Sequence, residues 1–449
     1  MSDQAPTQPQ NEYQRFLRQL PADWERKEVR HLGAIVGGGT PSRDVPSFWR
    51  GSIPWVTPGE VSGNATKFLL DTNDHISPSG LAGSGANLLP AKALMVTTRA
   101  TLGARVINAV PMATNQGFKS IVFKGAEDSD FYFHLFEKVK SELVRRASGT
   151  TFLEISGAEF GSIEVPSPDR REKVRITEVL DTLDTATRET EAIIAKLKAV
   201  KKGLLHDLLT RGIDTNGELR PTQAEAPHLY KESTLGWIPI EWDVDLVANL
   251  TTSSVIGPFG SDLVASDYRE SGVPVIFVRD VKPDSLTWKS DVYVSKRKAQ
   301  ALAAHEVLAG DVVATKMGLP PCVAAVYPNT MPNGVVTADI VRLRPNLSRV
   351  LSSWMSAFVN SPAVAKQVEQ ITAGVTRPKV TLRDVRNLRL AIPPLEEQRL
   401  LLDRAEAMES HISLEAAALQ KFSAEKSGLM DDLLTGRVRV TPLLEPSTP

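Results

Sequence analysis

Residues suited to base or phosphate contacts occur in short runs at comparable places in the two halves of the chain. Arginine and lysine donate hydrogen bonds to guanine edges or phosphates, asparagine and glutamine pair with adenine edges, and threonine serves either role. Taken singly, each run has the composition of a surface turn, whereas recurrence in both halves favours binding. The candidate binding residues are Thr98, Arg99, Thr101, Asn115, Gln116 and Lys119 in the first half, and Arg279, Thr315, Lys316, Thr376, Arg377 and Lys379 in the second.

The sequence carries none of the motifs expected of an enzyme of this size. Its seven histidines show neither H-x-x-x-H nor H-E-x-x-H spacing, so a zinc pattern is missing. No G-x-S-x-G elbow occurs, and the run GGGTP at 37–41 lacks the spacing of a phosphate-binding loop. Methylation of an exocyclic base amine would call for an Asn/Asp-Pro-Pro-aromatic loop. The Pro-Pro pairs at 320–321 and 393–394 lack the flanking residues of that motif. We therefore predict a non-catalytic chain that holds no metal.

Charge and cysteine content exclude several classes of protein. Lys and Arg number 52 against 53 Asp and Glu, so any polyanion must be bound by local basic patches. The single cysteine, Cys322, excludes a disulfide framework and suits a reducing cytoplasm. No apolar stretch reaches about 18 residues, so we expect no membrane span. Residues 1–14 are expected to form a disordered tail.

The chain repeats itself at a shift close to half of its 449 residues. Residues 201–210, KKGLLHDLLT, recur as residues 426–435, KSGLMDDLLT, which is a shift of 225 positions. Further upstream the shift is 218, where Trp24 meets Trp242, and 220, where Pro54 meets Pro274. Ordered anchors with a small drift predict an old duplication whose loops have gained and lost residues. Each half is therefore expected to contain a globular head followed by a long helix.

Apolar residues recur with a period of 3.5 through both predicted helices, as in a coiled-coil seam. The second head lies between the helices, so antiparallel pairing would place its two attachment points together and the heads at opposite ends of a rod. The alternative is that each helix packs separately on its own head. The predicted seam residues are Ile176, Leu180, Leu183, Ile194, Leu197, Leu204, Leu208, Leu401, Met408, Ile412, Leu419, Phe422, Leu429 and Leu433.

Short β-rich runs bounded by glycine and proline dominate both heads, and one amphipathic helix fits each head, at 130–146 and 352–371. The predicted fold class is α+β: two duplicated mixed α/β domains separated by a long antiparallel two-helix coiled coil, with pseudo-twofold symmetry. The predicted boundaries are 1–14 for the tail, 15–165 for the first head, 166–212 for the first helix, 213–234 for a linker, 235–391 for the second head, 392–440 for the second helix and 441–449 for a second tail.

Over about residues 15–440, the chain resembles the DNA-specificity subunits of type I restriction–modification systems. Each motif is weak alone, and the resemblance rests on their order within a duplicated architecture. The first helix, preceded by VPSPDRRE at 165–172, departs from the Pro-Pro-x-x-Glu-Gln pattern of the family. The resembling motifs are GGTP at 38–41, Trp49, IPWV at 53–56, NQGF at 115–118, LGWIP at 235–239, Trp242 and IPPLEEQ at 392–398.

The resemblance implies two target-recognition domains, each reading one half of a bipartite double-stranded DNA sequence. It further implies helices that dock two methyltransferase subunits, with a restriction and translocation subunit joining the complex in the cytoplasm. S-adenosylmethionine, ATP and Mg²⁺ are then expected on those partners, none is bound by this chain, and no membrane is involved.

Three alternatives stay open at this point. The chain could serve a related methylation-only or fused restriction system, carry an enzyme fused to the recognition unit, or be a two-headed scaffold that binds only proteins. Base contacts of the family do not transfer by motif, so the candidate residues rest on type and place alone.

Overall fold

The computed structural model describes residues 12–63, 66–125, 127–149, 153–374 and 376–443, and these divide into two compact units. Unit 1 takes the residues up to Ala192 and those from Ala416 onwards, and unit 2 runs from Ile193 to Glu415. Each unit therefore holds one head, the beginning of the long helix after that head, and the end of the other long helix. The division passes through both long helices, so each long helix contributes residues to both units.

The β-rich runs of the first head form strands, including those predicted near 93–97, 105–107 and 120–123. A five-stranded sheet has the order β2-β10-β7-β8-β4, and a four-stranded sheet has the order β5-β3-β9-β6. Strand β1 pairs with β11, which directly precedes the first long helix. The strands are β1 (Glu25–Glu28), β2 (Gly33–Gly37), β3 (Trp49–Val56), β4 (Phe68–Leu69), β5 (His75–Ile76), β6 (Leu88–Leu89), β7 (Leu94–Thr97), β8 (Arg105–Asn108), β9 (Met112–Thr114), β10 (Phe118–Phe123) and β11 (Glu164–Ser167).

The predicted amphipathic helix of the first head packs on one face of the five-stranded sheet. Leu94 and Val96 share an apolar cluster with its buried side chains, whereas Met95 belongs to another cluster, as the alternation of a strand requires. The tail boundary was wrong: the first helix begins at Glu12 and buries Tyr13, while residues 1–11 lie outside the described ranges. The helices are α1 (Glu12–Arg18), α2 (Val29–Leu32), α3 (Pro58–Ser62), α4 (Pro78–Ala82), α5 (Asp128–Arg146), α6 (Gly157–Gly161) and the long α7 (Arg170–Thr210).

The second head has a similar strand arrangement. A four-stranded sheet has the order β15-β25-β22-β23, and a five-stranded sheet the order β16-β20-β17-β24-β21. The parallel pair β17·β24 has its counterpart in the parallel pair β3·β9 of the first head. The strands are β12 (Tyr230–Ser233), β13 (Gly236–Pro239), β14 (Asp243–Leu246), β15 (Thr251–Ile256), β16 (Tyr268–Arg269), β17 (Val273–Ile276), β18 (Val281–Lys282), β19 (Ser285–Leu286), β20 (Tyr293–Val294), β21 (Glu306–Val307), β22 (Val312–Thr315), β23 (Ala324–Val326), β24 (Gly334–Val336), β25 (Ile340–Pro345) and β26 (Arg389–Ile392).

The single helix predicted at 352–371 is two helices, which corrects the sequence reading. Ser361 caps the second of them by accepting a hydrogen bond from the backbone of Val364 at 3.4 Å, and Pro362 begins its first turn. The helices are α8 (Val247–Leu250), α9 (Lys296–Ala301), α10 (Ser352–Val359), α11 (Pro362–Ile371), α12 (Leu382–Asn387) and the long α13 (Leu395–Leu433).

The predicted linker at 213–234 is also a correction, because this segment packs into unit 2. Ile213 and Tyr230 are buried, and strand β12 pairs with β13. Arg220 is buried as well and reaches the long helix α13 through an ion pair with Glu397. The segment lacks hydrophobic periodicity because it is held by individual anchoring side chains.

The long helices bury the predicted seam in each unit, and every seam residue is buried or partly buried. In unit 1 the cluster that contains Ile176 and Leu180 also contains Leu433, and Asp184 forms an ion pair with Lys426. The residue numbers run in opposite directions on the two helices, so the pairing in this unit is antiparallel. Residues from both helices complete the core of one head, which contradicts the alternative that each helix packs on its own head alone.

Unit 2 shows the same pairing. Leu208 of α7 and Leu401 of α13 lie in one cluster, and Lys201 forms an ion pair with Glu409. Lys201 and Lys426, which are 225 positions apart, therefore each contact a carboxylate of the other helix, as expected for polar groups that set register. Among the described residues, no helix combines the length and the apolar character needed to cross a membrane.

A buried glutamate in the first turn of α13 ties three segments of unit 2 together. Glu397 accepts hydrogen bonds from the Ile213 backbone at 3.0 Å and from Trp242 Nε1 at 3.1 Å. Arg220 donates to both of its carboxylate oxygens, at 2.5 and 3.2 Å. Gly212, at a φ of +62°, ends α7 against this cluster, and a Cβ here would lie 2.2 Å from the Glu397 carboxylate.

Unit 1 has an equivalent cluster around a glutamate in the first turn of α7. Glu172 accepts from Trp24 Nε1 at 2.9 Å and from Arg439 Nε at 2.6 Å. Hydrogen bonds to Glu172 and to Asp23 raise the pKa of Arg439. Gly436, at a φ of +69°, follows α13 and packs on Trp24. In each unit, the arginine follows one long helix and the glutamate begins the other.

The single thiol of the chain lies in the core of unit 2 and should report the opening of that core. Burial raises the pKa of Cys322 to about 12, so at pH 8 the thiolate is on the order of 10⁴ times scarcer than the thiol. We expect no reaction with a disulfide reagent in buffer and one equivalent of reaction in denaturant, measured by absorbance. Rapid reaction of the native protein would contradict the burial of Cys322.

Candidate nucleic-acid interface

Four loops of the first head meet at one end of its sheets. The β7–β8 loop is held to the β9–β10 loop by a hydrogen bond from the Thr98 backbone to the Gly117 carbonyl, at 2.8 Å. The chain from 153 to 156 joins them, because Ile155 donates to the Thr98 carbonyl at 3.1 Å. The loop after β2 joins through a hydrogen bond between Thr40 and Gln116. The sequence-predicted residues Arg99 and Gln116 are thus brought together.

The side chains at this end of the first head can donate and accept hydrogen bonds outward. Gln116 and Thr101 are exposed, and Arg99 is half-exposed with its Nε 3.7 Å from Glu154. Asn115 turns inward in part, since its Oδ1 accepts the Gly117 backbone N–H at 2.9 Å. Arg99 and Gln116 therefore have the geometry for base or phosphate contacts, while Asn115 shapes the loop.

Thr98 does not fit the predicted contact role. Its side chain is fully buried, and its hydroxyl donates to the Gly117 carbonyl at 3.3 Å. It therefore holds two loops together. Lys119 is partly buried on β10, and its Cε is 3.8 Å from the position of a Cβ on Gly157, directly after the 153–156 segment.

Sequence reasoning missed a cation beside these loops. The Arg43 guanidinium stacks 3.6 Å above the Trp49 ring, which packs edge-on against Trp55 with ring centroids 5.1 Å apart. Trp55 Nε1 donates to the Gly39 carbonyl at 2.9 Å and so fixes the loop that contains Arg43 and Thr40. The two tryptophans were part of the family resemblance, but the separation of Arg43 from them in sequence hid the contact.

The second head brings the corresponding loops together. The Lys316 backbone donates to the Asp339 carbonyl at 2.7 Å, and Val380 donates to the Lys316 carbonyl at 2.9 Å. Lys379 pairs with Met317 in an isolated β-bridge, and its Nζ is 3.5 Å from Asp339. The predicted residues Lys316 and Lys379 therefore lie at one site.

Two predicted contacts of the second head are buried and need correction. Thr315 accepts the Val323 backbone N–H at 3.1 Å and supports the base of the β22–β23 loop. Lys316 turns inward: its Nζ donates to the Ala338 carbonyl at 3.2 Å and lies 5.0 Å from the centroid of Phe259. Burial, together with the charge of Lys379, lowers the pKa of Lys316. Lys316 contributes positive potential from below the surface.

The other cations predicted as contacts in the second head, Arg279, Arg377 and Lys379, are exposed. Arg279 stacks on Phe277 at 4.4 Å from the ring centroid, and both line a cavity of about 540 Å³ with Met317 and Asp339. Thr376, Arg377 and Lys379 are exposed on the segment that follows residue 375. These side chains surround the end of the sheet that carries Lys316.

Comparison with known proteins agrees with this geometry. Residues 21–199 match the family described as "Type I restriction modification DNA specificity domain". The match covers the first head and the start of α7. The resemblance to type I specificity subunits is thereby confirmed, and such subunits are non-catalytic DNA-recognition proteins.

Curated relatives of the chain include three specificity subunits of type I restriction enzymes. The MjaIX specificity subunit of Methanocaldococcus jannaschii is 31% identical over 37% of this chain and 39% of its own length. The EcoR124I/EcoR124II subunit of Escherichia coli is 28% identical over 40% of this chain and 45% of its own. The chain thus spans less than half the length of these two in alignment. The MjaVIII subunit of M. jannaschii is 20% identical over 94% of this chain and 95% of its own.

Solved structures share the fold over more than nine-tenths of the chain. The S subunit of a type I restriction–modification system from M. genitalium has a TM-score of 0.53 at 11% identity, over 92% of this chain and 98% of its own. A chain from a study of assembly in the type I system has a TM-score of 0.58 at 15% identity, over 93% and 99%. Mixed α/β content with long helices is therefore a shared fold.

A histidine–carboxylate cluster lies away from the recognition loops of the first head. His134 Nε2 is 2.7 Å from Asp181, and Asp184 is 3.9 Å from its Nδ1. Burial lowers the pKa of His134. Lys67 and Lys426 pair with the two carboxylates, so both negative charges already have partners. This cluster joins the head to α7 and α13 and offers no vacant anionic ligand for a metal.

Proposed function

We propose that this chain is the non-catalytic DNA-recognition subunit of a type I restriction–modification complex, with each head reading one half of a bipartite target. The observation that carries the proposal is the recurrence of one loop arrangement. The hydrogen bond from Thr98 to Gly117 in unit 1 corresponds to that from Lys316 to Asp339 in unit 2. Ile155 and Val380 complete the two arrangements. Equivalent loops carrying different side chains are what two half-sites of different sequence require.

The proposed antiparallel coiled coil gives the long helices a spacing role between two duplicated domains. It is supported by the buried seam and by the ion pairs Asp184–Lys426 and Lys201–Glu409, one in each unit. Heads that bind one face of a duplex read half-sites about one helical turn apart, with an unread gap between them. The local cations make such binding salt-sensitive.

The partners follow from the same proposal. Two methyltransferase subunits dock on the helices, a restriction and translocation subunit joins them, and the complex acts on double-stranded DNA in the cytoplasm. This chain binds no cofactor, and S-adenosylmethionine, ATP and Mg²⁺ belong to the partner subunits. Its task is to position the methyltransferase over a target base that is flipped out of the duplex.

Mapping methylated bases in host DNA, with and without the gene for this chain, tests the proposal. We expect one methylated motif with two specified parts and an unspecified gap, lost on deletion. A contiguous motif, or methylation that persists, would contradict the two-headed function.

Two rival functions have their own signatures. A purified chain that methylates or cuts DNA alone would indicate a fused enzyme. Failure to bind DNA in the presence of the methyltransferase would indicate a protein scaffold.

A further inference from the structure

The β22–β23 loop of the second head ends in an apolar tip, which we define as Met317, Leu319 and Pro320. Leu319 is 88% exposed, more than the 72% of Leu70 in the first head. Single exposed leucines are common on protein surfaces, so exposure alone assigns no role. What distinguishes this tip is how its base is held and which charged residues lie beside it.

Hydrogen bonds on both sides hold the base of the tip. The Thr315 backbone donates to the Val323 carbonyl at 2.9 Å, and Cys322 donates to the Thr315 carbonyl at 2.8 Å. The bond from Lys316 to Asp339 fixes the same base against the neighbouring loop. Burial of Cys322 adds an apolar anchor. The tip is therefore presented from a fixed base, and its burial in a partner costs little conformational entropy.

Cations lie beside Met317, at one side of the tip. Lys379 is bridged to Met317, Arg279 lines the same cavity as Met317, and Lys316 supplies buried positive charge beneath them. Asp339 is the acidic side chain in this cavity lining. An apolar side chain with cations beside it complements the surface of a DNA groove. The phosphates along the edges of the groove are anionic, and the base edges inside it offer an apolar contact.

The equivalent loop of the first head is polar. Where the second head has Met317 and Leu319, the β7–β8 loop has Arg99, Ala100 and Thr101 at its exposed turn. At this turn the first head therefore presents side chains that form hydrogen bonds, whereas the tip of the second head presents apolar side chains. The β7–β8 loop of the first head and the β22–β23 loop of the second therefore differ in the kind of contact they can make with a partner, as well as in amino-acid sequence.

We propose that Leu319 contacts the C5-methyl group of a thymine in the major groove, and thereby specifies an A·T pair in one half-site. The thymine methyl is the apolar feature of the base edges in that groove, and the other features are hydrogen-bond donors and acceptors that leucine cannot satisfy. This inference rests on the proposed function and adds the chemistry by which the second head reads DNA.

The test uses the full chain assembled with its methyltransferase and a duplex that carries the mapped target. Each thymine is replaced in turn by deoxyuridine, which removes only the methyl group, and affinity is measured by fluorescence anisotropy. For the wild-type chain we expect about a fourfold loss at one position, the effect of one buried methyl group. Leu319→Ala should lose a similar or larger factor on thymine DNA and lose nothing further on the deoxyuridine duplex.

Leu347→Ala is the matched control. Leu347 is 61% exposed and follows the far end of β25, whose first residue, Ile340, pairs with Thr315. Its replacement should leave affinity unchanged. Wild-type affinity for Leu319→Ala, no thymine dependence in the wild-type chain, or equal losses on thymine and deoxyuridine DNA would each overturn the inference. Absence of any specific binding by the wild-type complex would instead overturn the proposed function.

Discussion

Replacing Glu397 by alanine is expected to destabilise unit 2 by about 3–5 kcal/mol, because it leaves a buried arginine without its carboxylate. Arg220 and Glu397 have side chains that are 8% and 10% exposed. The same carboxylate also accepts the Trp242 and Ile213 N–H groups, which would lose their acceptor. The former linker segment, the second head and α13 would lose their common anchor.

Hydrogen exchange resolved by mass spectrometry would locate the effect. We expect protection to fall in peptides of unit 2 and the Cys322 thiol to become reactive, with unit 1 little changed. Glu172→Ala should give the reverse pattern, since Glu172 binds Trp24 and Arg439 in unit 1.

Glu396→Ala is the matched control for this experiment. Glu396 is the neighbouring glutamate, is exposed and pairs with Arg399 at 3.1 Å, so its loss should cost less than about 1 kcal/mol. Equal destabilisation by the Glu396 and Glu397 variants would show that the buried cluster does not anchor the unit.

Replacing Arg99 by alanine is expected to relax one base position in one half-site. A bidentate contact from arginine to a base contributes about 1–3 kcal/mol of discrimination, so the preference for methylating sites with the correct base there should fall by roughly fivefold to 150-fold. The other half-site should be read as before, because its loops belong to unit 2.

Arg26→Ala is a suitable control for this measurement. Arg26 is an exposed arginine on β1, whose pairing partner is β11 and not one of the recognition loops. Relaxation of both half-sites by Arg99→Ala would contradict two independent heads. A uniform loss of affinity on all sequences, with a weaker salt dependence, would place Arg99 on a phosphate.

Local patterns predicted much of the fold, because periodicity and end signals act over short distances in the chain. The 3.5-residue period identified the buried seam of α7 and α13, and Gly212 and Gly436 marked their ends. The helix break at Ser361–Pro362 was also readable from a capping residue followed by proline, and the longer apolar pattern concealed it.

The site was predicted only in part, because residue type does not report which way a loop turns. Arg99 and Thr98 are adjacent, yet one is half-exposed and the other is fully buried under a hydrogen bond to Gly117. Leu319 was not among the predicted contact residues, since no sequence motif marks an apolar loop residue as a binding residue. Its place becomes informative once Lys379 and Arg279 are seen beside Met317 of the same tip.

The repeat, the two long helices, the α+β heads and the resemblance to DNA specificity subunits could all be predicted from the sequence. Each of them depends on local patterns or on the order of motifs along the chain. The tertiary structure decided which distant segments meet. Arg220 and Glu397 are 177 positions apart, and their buried pairing turns an expected linker into part of a core. Such contacts depend on the burial of specific side chains after the chain has folded, and no local period encodes them.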